Sequence, residues 1–170
     1  MSTLFLFDAN VLITASKQYY PLDQIPEFWE WIDYQASNGS IKLPFEIVSE
    51  VLAGSKNEDP LLDWTARRKN HLTLKEEVDP ALVDTVVHKG YAPDLTDDEI
   101  IAIGQDPFLI AYALAHPDER CVVTVEVSSP SKRRQNRKVP DVCRRFGLRC
   151  LNPFQAYRAL GFSTRWNRHS

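Results

Sequence analysis

Apolar residues fall along this chain in two distinct patterns. Residues 3–7 (TLFLF) and 121–124 (CVVT) are short, nearly unbroken apolar runs without alternation, which suits strands buried on both faces of a parallel sheet. Residues 25–36 (IPEFWEWIDYQA) instead repeat at helical spacing, with Phe28, Trp29, Ile32 and Ala36 on one face, until SNGS at 37–40 breaks the pattern. A helix is also predicted from about Ala9. A brief strand follows at 41–43, and Pro44 opens a helix that Gly54 closes. Residues 61–69 and 80–89 read as helices separated by an extended HLTL, and Thr96, Asp97 and Asp98 offer caps for EIIAIG. Asp106 is placed as the N-cap of PFLIAYALAH, with Pro107 in its first turn. Asp141 opens a short helix ending near Gly147; a strand at 148–151 and a helix at 153–160 complete the series. Strands alternating with helices predict an α/β layered fold, with a central, mainly parallel sheet, helices on both faces and right-handed crossovers.

A chain of 170 residues suits one domain, and no linker or repeat divides it. The last residues, about 162–170, read as a flexible tail or an interface carrying Phe162 and Trp166. No apolar stretch approaches the ~18 residues of a membrane span. The first apolar run lacks the basic flank and cleavage pattern of a signal peptide, so a cytoplasmic address is expected. Cys121, Cys143 and Cys150 form no CxxC pair and read as buried thiols, and His71, His88, His116 and His169 lack ligand spacing. Charge changes the picture more. The chain carries −3 overall, yet residues 128–149 hold eight basic side chains against the single acid Asp141. Such a segment is compatible with nucleic-acid contact or with a solvated loop.

Functional groups in open parallel sheets gather outside the carboxyl ends of the strands. Asp8, directly after the first apolar run, and Glu126, two residues after CVVT, occupy that position. Asp106 and Glu50 are the further candidates. Glu50 has a rival in Glu46, one turn away. At about 100° per residue, Glu50 lies roughly 130° and Glu46 roughly 170° from the centre of the apolar stripe of Ile47, Val48, Val51 and Leu52, which favours Glu50 for a site and Glu46 for solvent. Clustered carboxylates need a counter-charge, and oxygen ligands without cysteine or histidine favour Mg²⁺ or Mn²⁺.

FDAN at 7–10, SEV at 49–51, DPFLIAYAL at 106–114 and VTVE at 123–126 resemble, in order and spacing, the acidic motifs of PIN-domain nucleases. KVPDVCRRFGLRC at 138–150, YYP at 19–21 and FW at 28–29 are similar to a bacterial branch of that superfamily related to VapC-like toxins. The resemblance implies a three-layer α/β/α sandwich and a metal-dependent endoribonuclease, the toxin of a toxin–antitoxin pair. It assigns Asp8, Glu50 and Asp106 to the core acids, Asn10 to steadying the first aspartate, and Thr124 with Glu126 to the T-x-D motif, from which the glutamate departs. Asp8, Asp106 and Glu126 would hold the ion. Lys132, Arg133, Arg134, Arg137 and Lys138 would contact RNA phosphates. Asp141 either extends the acidic site or caps its helix beside Pro140. A cognate antitoxin and a homodimer are the implied partners, with the aromatic segment Phe28, Trp29, Trp31 and Tyr34 as a groove or as core. Two alternatives stand beside this reading: a non-catalytic RNA-binding or interaction module of the same fold, and a haloacid dehalogenase-type phosphatase. The latter needs an aspartate where Asn10 stands.

Overall fold

The computed structural model of the protein describes residues 2–54 and 58–168. Four strands, β1 (Leu4–Phe7), β2 (Ile41–Lys42), β3 (Arg120–Val123) and β4 (Arg149–Leu151), form one sheet in the order β2-β1-β3-β4, every pair parallel. The two apolar runs are thus the central strands. Leu6 and Phe7 of β1 point to opposite faces and both are fully buried, so both faces of the sheet are covered, as a three-layer α/β fold requires.

The covering helices are α1 (Ala9–Thr14), α2 (Pro26–Ser37), α3 (Phe45–Gly54), α4 (Pro60–Arg67), α5 (Lys69–Leu72), α6 (Pro80–Thr85), α7 (Asp97–Ile103), α8 (Asp106–Ala115), α9 (Val139–Arg145) and α10 (Pro153–Ala159). Two of them run on into wider π-helical turns, α1 through Ala15–Tyr19 and α6 through Val86–Tyr91. Helix α8 packs on β3 and meets α3, α6 and α9. No helix among the described residues is long and apolar enough to cross a membrane.

Several local expectations are corrected. HLTL is only half extended: His71 and Leu72 belong to α5, and Thr73 then bridges in parallel to Leu43. Helix α9 begins at Val139, which makes Asp141 its third residue and not its cap. The Asp141 carboxylate instead accepts from the Ser128 hydroxyl and from the Ser129 N–H at 2.8 Å, pinning the loop after β3. Burial opposes its charge, but those two donors together with the charges of Arg144 and Arg137 outweigh it and hold the carboxyl below the usual range.

The tail is not free where it is described. Phe162 packs into the aromatic cluster of Tyr20, Phe28, Trp31 and Tyr157. The Trp166 indole donates to the Glu27 carbonyl at 3.1 Å and lies 4.9 Å from the Tyr34 ring, fastening the chain end to α2; His169 and Ser170 lie outside the described residues. Phe28, Trp29 and Trp31 are buried, so of the proposed aromatic groove only Tyr34 reaches the surface.

Candidate active site

Strand pairing builds the site. Phe7 of β1 is in register with Val123 of β3, and the Asp8 N–H donates to the Val123 carbonyl at 2.9 Å, which sets Asp8 beside Thr124 at the carboxyl edge of the sheet. Asp8 also caps α1, its Oδ1 accepting from the Ala9 N–H at 2.8 Å. Its Oδ2 accepts from Asn10 Nδ2 and from the Thr124 hydroxyl, both at 3.0 Å. Asn10 also donates to Thr124 Oγ1 at 3.2 Å, and its Oδ1 accepts from the Val125 N–H at 3.2 Å. These bonds leave the Asp8 side chain one orientation. Two residues past Thr124, Glu126 turns toward α9, where its Oε2 accepts from the Val139 N–H at 2.7 Å and satisfies an open donor of that helix.

Asp106 stands in the first turn of α8, after Gln105, and its carboxylate caps nothing: no hydrogen bond holds it among the described residues. Its environment is electrostatic. Burial, then the charges of Asp8, Glu126 and Glu50, push its carboxyl up to about 8, with Lys138 the tempering cation. Asp8 is pushed up to about 7, mainly by burial at 4% exposure, against the Thr124 hydroxyl; Glu50 and Glu126 raise it further, and the Ala9 N–H opposes them. The four acids singled out in the sequence therefore lie within reach of one another's charge. Glu50, on α3, is the rim of this group; it is raised by partial burial and carries no hydrogen bond among the described residues. Beside it a cleft of about 530 Å³ opens between α3 and the turn at Gly104 and Gln105.

The ranking of Glu50 as the more buried of its pair is reversed. Glu46 is half-buried, within 3.4 Å of the Tyr112 hydroxyl, which donates to it, whereas Glu50 is exposed. Tyr112 comes from α8, outside anything the stripe of α3 encodes.

Tyr91 completes the group, and no sequence motif marks it. It ends the π-helical turn after α6, is 6% exposed, and its buried hydroxyl has no hydrogen-bond partner among the described residues. Burial first, then the charges of Asp106, Glu126, Cys143 and Asp8, keep its proton firmly bound. Gly90 lets this turn approach α9, since a Cβ there would stand 2.8 Å from Val142 Cγ1.

The basic segment divides. Arg134 forms ion pairs with Asp94 and Glu99 at 2.8 Å each, and its guanidinium holds the Glu99 carboxyl down at about 2. Arg137 donates to the Gly90 carbonyl, binding the loop to Tyr91's turn. Lys132 and Arg133 are exposed, and Lys138 neighbours Asp106.

The donor chemistry of the four acids, hard carboxylate oxygens with Asp8 and Asp106 raised by burial and by neighbouring charge, fits a divalent cation of the Mg²⁺ or Mn²⁺ type. Among the described residues no three acidic, histidine or cysteine side chains stand close enough to hold one as they are. Among known proteins, no curated sequence and no solved structure matches the chain. Residues 5–164 do match one described family, nearly the full length from β1 to the tail, and the chain therefore belongs to the family DUF4411, a domain of unknown function.

Proposed function

We propose that this protein is a Mg²⁺- or Mn²⁺-dependent endoribonuclease of the PIN-domain type, acting as the toxin of a toxin–antitoxin pair in the cytoplasm. The observation that carries the proposal is the Asp8 carboxylate fixed at the carboxyl edge of the sheet by Asn10 and Thr124, with Asp106, Glu126 and Glu50 near enough for their charges to act within the same group. Buried like charges of this kind are costly to folding and are arranged where a cation or a proton transfer needs them.

Asp8, Asp106 and Glu126 would hold the ion. When bound, the ion supplies charge stabilisation at the scissile phosphate and acidifies a water. Asn10 and Thr124 position Asp8, keeping Oδ2 in place by two hydrogen bonds. Glu50, raised and open to the cleft, takes the proton of the attacking water on its carboxylate. Lys132 and Arg133 contact backbone phosphates beyond the cut, and Lys138 those nearest the acids. Arg134 and Arg137 hold the loop that presents them.

Cleavage of single-stranded RNA with Mg²⁺ or Mn²⁺, and its loss with chelator, tests the activity. Asp8→Asn is expected to abolish cleavage with the fold retained; full activity in that variant, insensitive to chelator, refutes the mechanism. A small DNA-binding protein encoded beside this chain, and its co-purification with it, tests the toxin assignment and the antitoxin partner. Self-association in sedimentation tests the homodimer.

One observation favours the alternative of a non-catalytic RNA-binding module. Glu126, already the departure from the T-x-D pattern, has one carboxylate oxygen committed to Val139 N–H. Calorimetry separates the two readings: RNA binding without Mg²⁺ or Mn²⁺ binding identifies the inert module.

A further inference from the structure

A second cleft, of different chemistry, opens beside Val11 and Val125. It has a volume of about 210 Å³, and its walls include Val11, Tyr19, Tyr20, Val125, Phe154 and Tyr157, with no charged side chain among the described residues that line it. It adjoins the acids by two short routes. Val11 lies in the first turn of the helix that Asp8 caps, and the Val125 N–H is bonded to Asn10, which is bonded to Asp8.

The walls are aromatic and open. Tyr19 and Phe154 are 49% and 44% exposed, and their rings meet edge to face with centroids 4.9 Å apart. Tyr20 behind them stacks on Phe28 at 4.2 Å, so the core backs the cleft and fixes its shape. Leaving two such rings in water forgoes hydrophobic burial that a ligand would supply. The volume lies below the ~300–1,000 Å³ of drug-sized pockets, so the cleft admits one planar ring system and not a helix of about 10–12 Å diameter. Having no charge of its own, it suits an uncharged ring. Its position beside the acids suits one that is tied to a phosphate.

We propose that this cleft binds one unpaired nucleobase of the RNA strand whose adjoining phosphate lies against the acids. The inference rests on the ribonuclease reading and adds to it a subsite for one base, which must leave its stack to lie against aromatic side chains.

The test compares a short labelled single-stranded RNA with an abasic strand of the same length, by fluorescence anisotropy in chelator so that nothing is cut. The wild-type protein is expected to prefer the base-bearing strand by roughly 5- to 150-fold, the range of one base–aromatic contact. Phe154→Ala removes that preference and leaves abasic binding unchanged, while Phe154→Trp keeps it; thermal unfolding confirms that both variants are folded. Equal binding of the two strands by wild type, or equal weakening of both by Phe154→Ala, overturns the proposal. Loss of self-association in Phe154→Ala with base preference intact assigns the cleft to a second copy of the chain and also overturns it. Restoring Mg²⁺ or Mn²⁺ separates the two readings. Base-dependent binding without cleavage keeps the cleft and removes the ribonuclease, and cleavage without base dependence does the reverse.

Discussion

Replacing Asp106 by asparagine removes a charge that the fold keeps at a cost, so the variant is expected to be more stable than the protein it came from. The Asp106 carboxyl is raised from its ordinary 3.8 to about 8. An acid whose pKa is higher folded than unfolded gives no penalty below about pH 4, where both states are protonated. Between about pH 4 and pH 8 the unfolded chain binds fewer protons, so stability falls as pH rises, and above pH 8 the loss is complete. At 1.36 kcal/mol per tenfold in proton affinity the full interval would be worth about 6 kcal/mol. Asp106 is only half-buried, and its repulsion is shared with Asp8, each eased when the other takes a proton, which brings the figure to about 1–2 kcal/mol. For a chain of this size that is a rise of roughly 2–8 °C in Tm. Urea or thermal unfolding in chelator, at about pH 3.5 and again at about pH 8, reads the difference. The gain of Asp106→Asn should be small at the lower pH and full at the higher. Added Mg²⁺ should raise the wild type toward the variant while scarcely moving the variant. A variant less stable than wild type at pH 8, or a gain independent of pH, refutes the argument that these acids repel one another.

Gly90→Ala should cost about 1–3 kcal/mol in urea unfolding, because the new Cβ would stand 2.8 Å from Val142 Cγ1 and 3.0 Å from the Phe146 ring; an unchanged midpoint refutes the close approach of this turn to α9. Tyr91→Phe should be neutral or gain about 1 kcal/mol in the same assay, since it deletes a buried hydroxyl that has no partner among the described residues, and a clear loss would show that the hydroxyl is satisfied in solution. In RNA binding, Arg133→Ala should weaken affinity and lower the salt slope by about 1, while Arg134→Ala, whose charge already faces Asp94 and Glu99, should leave the slope unchanged.

The central strands were legible because an unbroken apolar run has few other places to go. Asp8 was legible for the same reason, since a carboxylate at the end of such a run must have partners, and Asn10 and Thr124 are those partners. What the chain does not display locally is what a distant element brings. Glu46 and Glu50 could be ordered only by the stripe of α3, and Tyr112 of α8 reverses that order. Asp106 has the spelling of an N-cap, yet the helix begins at the aspartate itself and leaves its carboxylate to the cluster. Tyr91 has no spelling at all; its place follows from a π-helical turn and a glycine-sized approach to α9. The tail read as loose or as an interface because its attachments, Phe162 in the aromatic cluster and Trp166 on α2, are made to distant elements.

Asp8 and Thr124 are separated by 116 positions in the chain, and Val139, which receives Glu126, comes later still. During translation the first strand therefore emerges long before the residues that orient its aspartate. For most of that time the growing polypeptide has the acids of α3 and β1 but no second central strand to set them in place. The geometry of the site is thus set only once β3 and the start of α9 have been made, and a product ending before β3 lacks the hydroxyl that orients Asp8.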